Sequence, residues 1–188
     1  MATAATYPKL VRKLHITGVP ATRTPLARLI LTSWESLLQS SKQNRGLHSK
    51  NADLLPFAWS SIMSTYSPSF LSQNEQRVPQ WVEFLSRQNT LDGILALLEQ
   101  THTEDEQDEW HPISMANRVI MSDSMPEVQM AVGSLDCMAT IEETMRLNEL
   151  FQGKAIGNAI HVYEGCGHAV MMEDARRWRN DLIKFLDN

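Results

Sequence analysis

The chain is expected to be an α/β protein, with a small parallel sheet of about three strands, helices on its faces, and a helical cap inserted after the first strand. Three observations predict this. Beyond Pro112 the pattern runs helix, strand, helix, strand, helix, the rhythm of parallel strands joined by right-handed crossovers. The opening MATAATYPKLVRKLHITGV has the pattern of helix, turn and strand. Between these parts lies a long stretch whose apolar residues recur only at helical spacing. Residues 1–20 and 110–188 are therefore assigned to the core, and residues 21–109 to the cap.

Taken in order, the Ala-rich start is a helical end, Tyr7-Pro8 is a break, and Leu14 to Val19 is a β-prone run closed by Pro20. Thr24 has the character of an N-cap and Pro25 suits a first turn; Leu26, Leu29, Ile30, Trp34, Leu37 and Leu38 then form the predicted apolar stripe. Ser40 to Asn51 is almost wholly polar and is expected to be an exposed loop. Three further helices are predicted. The first carries Trp59, Ile62, Met63 and Tyr66, the second Trp81, Val82 and Leu85, and the third Leu91, Ile94, Leu95 and Leu98. Thr101 to Glu109 holds five acids with no metal-ligand spacing and is assigned to a solvated loop ending the insert.

In the closing segment, Val128 to Val132 is predicted as a strand. Thr140 with Glu143 forms a capping-box pattern before a helix ending near Gly153, and Ile160 to Tyr163 is the next strand. The last helix is expected to present Met171, Ala175, Trp178, Leu182 and Phe185 on one face. There is no internal repeat and no low-complexity tract.

Composition narrows the function classes. With 43% hydrophobic and 21% charged residues and a net charge of −5, the chain is ordinary for a soluble protein and wrong for a general nucleic-acid or membrane-surface binder. Two cysteines, Cys137 and Cys166, make neither a disulfide framework nor a zinc site, so a reducing compartment, the cytoplasm by default, is expected. No apolar run has transmembrane length. The first acid is Glu35, preceded by five basic residues, a bias shared with transit peptides; the same residues also have the structural assignment above. No nucleotide fingerprint or phosphate-cradling glycine motif occurs, and no cofactor or metal is expected.

The chemistry concentrates in two loops. VQMAVGSLDCMAT places Asp136 just past the C-terminal end of a buried strand, where open α/β sheets put their functional loops. IHVYEGCGHAV places His168 in the loop after the next strand, with Gly165 and Gly167 allowing a sharp turn. Parallel neighbouring strands bring the two loops side by side. An Asp there orients the imidazole, and the His acts as general base and then general acid. Either residue alone is more readily a turn Asp or a satisfied loop His; as an ordered pair at successive strand ends they favour the catalytic reading.

GSLD, then EGCGH, then a C-terminal helix ending IKFL resembles the end of the α/β-hydrolase fold. In that family the order is nucleophile, acid, histidine, with the nucleophile in a G-x-S-x-G elbow. No G-x-S-x-G occurs in the 188 residues. The resemblance extends to ATAATYPKLVRKLHITGV, which is similar to the end of the elbow helix and the sixth strand, and to a cap following that strand. It implies that the elbow, the first five strands and the usual oxyanion-hole loop lie upstream of residue 1. Ser134 is too close to Asp136 on the same turn to serve as nucleophile, and Cys137 and Cys166 lack an elbow.

The resemblance thus implies hydrolysis of an ester, thioester or amide of a small molecule by a Ser-Asp-His-type triad. Asp136 and His168 are its catalytic residues here, and no nucleophile is present in this chain. The alternative expectation is an inactive hydrolase-like chain acting as a binding or interaction module, or a relative using the fold for other chemistry. The expected partner is a small-molecule substrate bound once an N-terminal half completes the fold, with no nucleic acid and no integral membrane segment. Trp34, Trp59, Trp81 and Tyr66 are expected mainly as cap core, with an acyl or aromatic pocket as their alternative role. Met171 and Met172 are expected either at substrate or packed beneath the sheet.

Overall fold

A computed structural model describes residues 1–43, 54–101, 106–151 and 159–187. Three parallel strands, β1 (Lys13–Thr17), β2 (Glu127–Gly133) and β3 (Ala159–Tyr163), lie in that spatial order. Ile16 is opposite Met130 and Met130 opposite Ile160, so the same face of all three strands is apolar. Helix α1 (Ala2–Thr6) precedes β1. The β1-to-β2 connection carries α2 (Pro25–Gln43), α3 (Leu55–Thr65), α4 (Pro68–Gln73), α5 (Val78–Gln88), α6 (Leu91–Thr101) and α7 (Pro112–Ile120). Helix α8 (Ile141–Phe151) lies between β2 and β3, and α9 (Val170–Glu173) and α10 (Ala175–Asp187) end the chain. Among the described residues no helix is long and apolar enough to cross a membrane.

Each sheet face has its own cover. Ile16, Val128 and Met130 pack with Ala4, Ala116, Val119, Leu147 and Phe151 of α1, α7 and α8. Burial of β2 on both faces from Val128 onward explains its near-continuous apolar run. The opposite face, beneath α9 and α10, has an apolar patch of Ala131, Tyr163, Cys166 and Val170 with Trp178 against it.

Beside that patch runs a polar chain that the strand pattern concealed. The Asp181 carboxylate accepts from Tyr163 Oη at 3.0 Å and from His161 Nδ1 at 3.1 Å. His161 Nε2 then accepts from the Gln129 amide at 3.1 Å, and Gln129 Oε1 accepts from His15 Nδ1 at 3.0 Å. His15 Nε2 accepts the Thr17 hydroxyl proton at 2.9 Å, and Thr17 Oγ1 accepts from Trp178 Nε1 at 3.2 Å. In this arrangement each imidazole donates from Nδ1 and accepts at Nε2, the neutral tautomer that carries its proton on Nδ1. Burial, partly offset by the Gln129 bond, pushes the His15 pKa down, in keeping with that neutral form.

The helices after β1 form a cap-like insertion with two apolar clusters of their own. The predicted helix at Thr24 is present, with Thr24 Oγ1 accepting from Ala27 N at 3.1 Å, but its buried stripe is Ala27, Leu31, Leu38 and Ser41. Leu26 and Leu29 face outward because α3 and α6 pack on the other side of the helix. In α3 the buried residues are Phe57, Ala58 and Ile62, while Trp59 and Met63 are exposed. One helix more than expected is present, α4, because Ser67 caps a new start with Oγ accepting from Phe70 N at 3.2 Å. In α5 and α6, Val82, Leu91, Ile94 and Leu98 are buried as expected.

Helix α2 also continues through Ser40 to Gln43, so the polar stretch begins later than composition suggested; 44–53 lie outside the described residues. So do His102 to Asp105 of the acidic run, and Gly153 at the expected end of α8. The first strand stops at Thr17 rather than Val19, because Gly18 takes φ +63° and leaves the strand. The terminal helix is broken at Asp174, so Met171 belongs to α9 and is separated from the stripe of Trp178, Leu182 and Phe185, while Ala175, at the first position of α10, is exposed.

Candidate active site

All three strands end at one place. The turn after β1 brings Gly18 there, the turn after β2 brings Asp136, and the turn after β3 brings His168. Gly133 permits the last two to cross: a Cβ on it would overlap the carbonyl groups of Gly167 and Cys166. The turns are then laced together. Ser134 N donates to Tyr163 O at 3.0 Å, Leu135 N to Cys166 O at 2.9 Å, and Gly165 N to the Ser134 hydroxyl oxygen at 2.8 Å.

Asp136 has a fully buried side chain with both oxygens of its carboxylate engaged. Oδ1 accepts from Met138 N and Ala139 N, both at 2.8 Å, forming the turn that leads toward α8. Oδ2 accepts from His168 Nδ1 at 2.9 Å. Because a carboxylate is acceptor-only, this bond places the neutral imidazole proton on Nδ1 and leaves a lone pair on Nε2. The imidazole side chain is 32% exposed, against 0% for its partner. Its edge lies on Gly18, where a Cβ would come within 2.9 Å of His168 Cε1.

The two glycines singled out beside His168 have different tasks. Gly165 takes φ +76° and makes the turn. Gly167 does not need positive φ; a Cβ there would press on Thr65 O and Ser67 N, each 2.8 Å away. The corner between α3 and α4 therefore abuts the histidine loop. Thr65 O accepts from His168 N at 2.8 Å and from Ala169 N at 3.3 Å.

Ser134 acts as an acceptor between the turns, with its hydroxyl engaged by Gly165 N. Cys137 Sγ donates to Ser64 O at 3.4 Å, and burial followed by the Asp136 charge pushes its thiol pKa up. Burial and the charges of Glu173 and Asp174 likewise raise the Cys166 thiol. Neither sulfur is placed to be a ready thiolate at neutral pH.

An apolar groove of about 490 Å³ opens beside the α3–α4 corner, lined by Ile62, Tyr66, Phe70, Trp81, Phe84 and Met172 among others. Tyr66 stacks on Phe70 at 5.3 Å and Phe70 on Trp81 at 5.9 Å, giving a continuous aromatic wall. Of the four cap aromatics, Tyr66 and Trp81 thus line the groove, Trp34 packs on Phe57, and Trp59 is exposed. Met172 joins the groove while Met171 does not. Among the described residues no three His, Cys, Asp or Glu side chains converge in a way that would hold a metal ion.

No protein-family model and no curated protein matches the sequence. Solved structures do match. MGS-M2, an alpha/beta hydrolase enzyme from a Medee basin deep-sea metagenome library, aligns with 100% of this chain at a TM-score of 0.72 and 20% identity. The chain carries part of the α/β-hydrolase fold. An enol-lactonase from Burkholderia xenovorans LB400 aligns over 100% of the chain at TM-score 0.69 and 12% identity. An acetylester hydrolase from Corynebacterium glutamicum aligns over 99% at TM-score 0.73 and 13% identity. The chain spans 57% to 60% of the length of these three, so it represents an incomplete copy of the α/β-hydrolase fold.

Several residues important to this geometry escaped sequence reasoning: Gly18, Gly133, Thr65 and Glu173. A glycine directly after a β-prone run was the available signal for Gly18 and Gly133. Thr65 acts through its backbone carbonyl, so no side-chain pattern marks it.

Proposed function

We propose that Asp136 and His168 are the acid and base of a hydrolytic acyl-transfer site, acting on an ester, thioester or amide with an uncharged apolar acyl or aromatic group. The observation that carries this reading is the His168 Nδ1 to Asp136 Oδ2 hydrogen bond at 2.9 Å, made by a buried carboxylate whose other oxygen is already committed. The nucleophile is assigned to a segment outside these 188 residues, since no nucleophile elbow occurs in them and the matching hydrolases are longer.

In the proposed reaction, His168 Nε2 takes the proton of an incoming hydroxyl as its oxygen adds to the substrate carbonyl carbon. The imidazolium so formed is stabilised by the Asp136 carboxylate. Collapse of the tetrahedral intermediate breaks the bond to the leaving group, which receives that proton from Nε2. Water then repeats the sequence on the acyl-enzyme, with His168 again first base and then acid. The groove along Tyr66, Phe70 and Trp81 carries no ionisable lining group other than the Tyr66 phenol, whose pKa burial and the Glu173 charge push up. It therefore suits a neutral, apolar substituent. Residues 21–109 are the proposed cap over this site.

The test is a longer protein in which a G-x-S-x-G segment precedes these residues, assayed on p-nitrophenyl esters of increasing chain length. His168→Ala should reduce turnover by about three to four orders of magnitude without unfolding the protein; near-normal turnover would reject the assignment.

A second reading, a non-catalytic interaction module, is favoured by β1, which pairs only with β2 among the described residues and leaves one edge open to another strand. Expression of residues 1–188 alone as a cooperative monomer with esterase activity would refute it.

A further inference from the structure

Asp136 fixes the His168 ring, but a ring is only as well placed as its backbone. Three consecutive amides, Gly167 N, His168 N and Ala169 N, all donate hydrogen bonds, and none of their acceptors belongs to the β3-to-α9 loop itself. Thr65 O of the helical insert accepts the second and third. Glu173, one helical turn beyond the loop, accepts the first through Oε1 at 2.8 Å. The same carboxylate accepts from Ser67 N, 3.2 Å from each oxygen. Glu173 therefore joins two backbone segments separated by about a hundred residues, the histidine loop and the α3–α4 corner.

The choice of an acid is physically specific. Two N–H groups converge on it, and a carboxylate supplies acceptors only. The corner lies so close to the loop that a Cβ at Gly167 would have no space, so neither segment shifts independently of the other. Tyr66, between the two corner residues Thr65 and Ser67, is also a wall of the groove.

We infer that Glu173 is a positioning residue for His168, clamping the imidazole-bearing loop to the corner of the helical insert that lines the groove. The inference rests on the proposed role of His168, but its test does not require turnover. The 188-residue chain with ¹⁵N-labelled histidine is compared with Glu173→Gln and Glu173→Ala, following the His168 Nδ1–H resonance and its exchange with water. Glu173→Ala leaves two amides without their acceptor, and Nδ1–H exchange should quicken about tenfold. Glu173→Gln retains one carbonyl acceptor and should fall between wild type and Ala, a rescue expected of a clamp. The signals of His15 and His161, which lie in the separate polar chain, should not move. Unchanged His168 exchange in Glu173→Ala would overturn the inference, as would equal loosening of all three histidines. If Glu173→Ala does not fold, Glu173→Gln decides alone: exchange at His168 faster than wild type, with His15 and His161 unchanged, supports the clamp, and wild-type exchange refutes it.

The two readings separate in the longer, nucleophile-bearing protein. If His168→Ala leaves turnover intact while Glu173→Ala still loosens Nδ1–H, the hydrolytic role fails and the clamp stands. If His168→Ala abolishes turnover and Glu173→Ala leaves His168 exchange unchanged, the clamp fails and the catalytic assignment stands.

Discussion

Replacing Asp136 with Asn separates the two tasks of this side chain, holding its own turn and setting the histidine tautomer. Oδ1 accepts from two amides, the half-buried Met138 N and the buried Ala139 N, while Oδ2 accepts from His168 Nδ1. An asparagine has one oxygen and one NH₂ for these two positions. Turning the NH₂ toward the turn would oppose two N–H donors and leave both unsatisfied, at about 1–3 kcal/mol each. Turning it toward His168 opposes only one, and the imidazole relieves that contact by moving its proton to Nε2. The second arrangement wins.

The variant should therefore lose only about 1–2 kcal/mol of stability, the difference between a charge-assisted and a neutral hydrogen bond. It should hold His168 with Nε2 as a donor, unable to take a proton from a nucleophile. In a nucleophile-bearing protein, turnover should fall by about four orders of magnitude. Asp136→Ala removes the acceptor from both turn amides and should cost about 2–6 kcal/mol. The assay is ¹⁵N NMR of the His168 ring, which distinguishes the two tautomers, together with urea unfolding of both variants. Retention of the Nδ1–H tautomer in Asp136→Asn, or equal stability of the Asn and Ala variants, would refute the reasoning.

Gly133→Ala should cost about 3 kcal/mol in urea unfolding, since its methyl group meets backbone carbonyls that no side-chain rotation can clear; a loss under about 0.5 kcal/mol would show that the crossing is loose. Ser134→Ala removes one acceptor, that of the Gly165 amide, and should lower stability by about 1 kcal/mol while leaving the His168 tautomer unchanged. Burial lowers the His15 pKa in the folded state, so the unfolded chain binds more protons as pH falls. Its contribution is complete above the ordinary histidine range and is lost as pH drops from about 6.5 toward the folded pKa. His15→Gln should flatten the fall in unfolding free energy between about pH 7 and 5; an unchanged slope would exclude His15 as its source.

The contrast between Asp136 and Glu173 shows which parts of the site a linear sequence carries. Asp136 and His168 each follow an apolar β-prone run, and parallel connectivity makes successive strand ends neighbours; their pairing follows from chain order alone. Glu173 has no such address. It sits in an amphipathic segment where a carboxylate is ordinary, and its partners are backbone amides, one of them about a hundred residues away. The helical insert is obscure for the same reason. Periodicity offered α2 a face through Leu26, Leu29, Ile30, Trp34, Leu37 and Leu38. Leu38 is buried and Trp34 and Leu37 pack against its cluster, but at the start of the helix Ala27 and Leu31 are buried in place of Leu26 and Leu29, because α3 and α6 pack on that side.

Even a correct local motif can be redirected by distant structure. Thr140 Oγ1 accepts from Glu143 N at 3.4 Å, as a capping box requires. The Glu143 carboxylate, which should return to the helix start, instead accepts from Thr22 N and Thr22 Oγ1, each at 2.8 Å. Ala21 N donates to Glu143 O at 3.1 Å in the same place. The chain leaving β1 is thereby tied to the first turn of α8, just as Glu173 ties the α3–α4 corner to the histidine loop. Both carboxylates serve backbone amides across the junction between sheet and insert. A cap-like insertion built largely around its own apolar clusters needs such directional contacts to acquire a defined orientation on the core, because apolar packing alone specifies burial more strongly than angle.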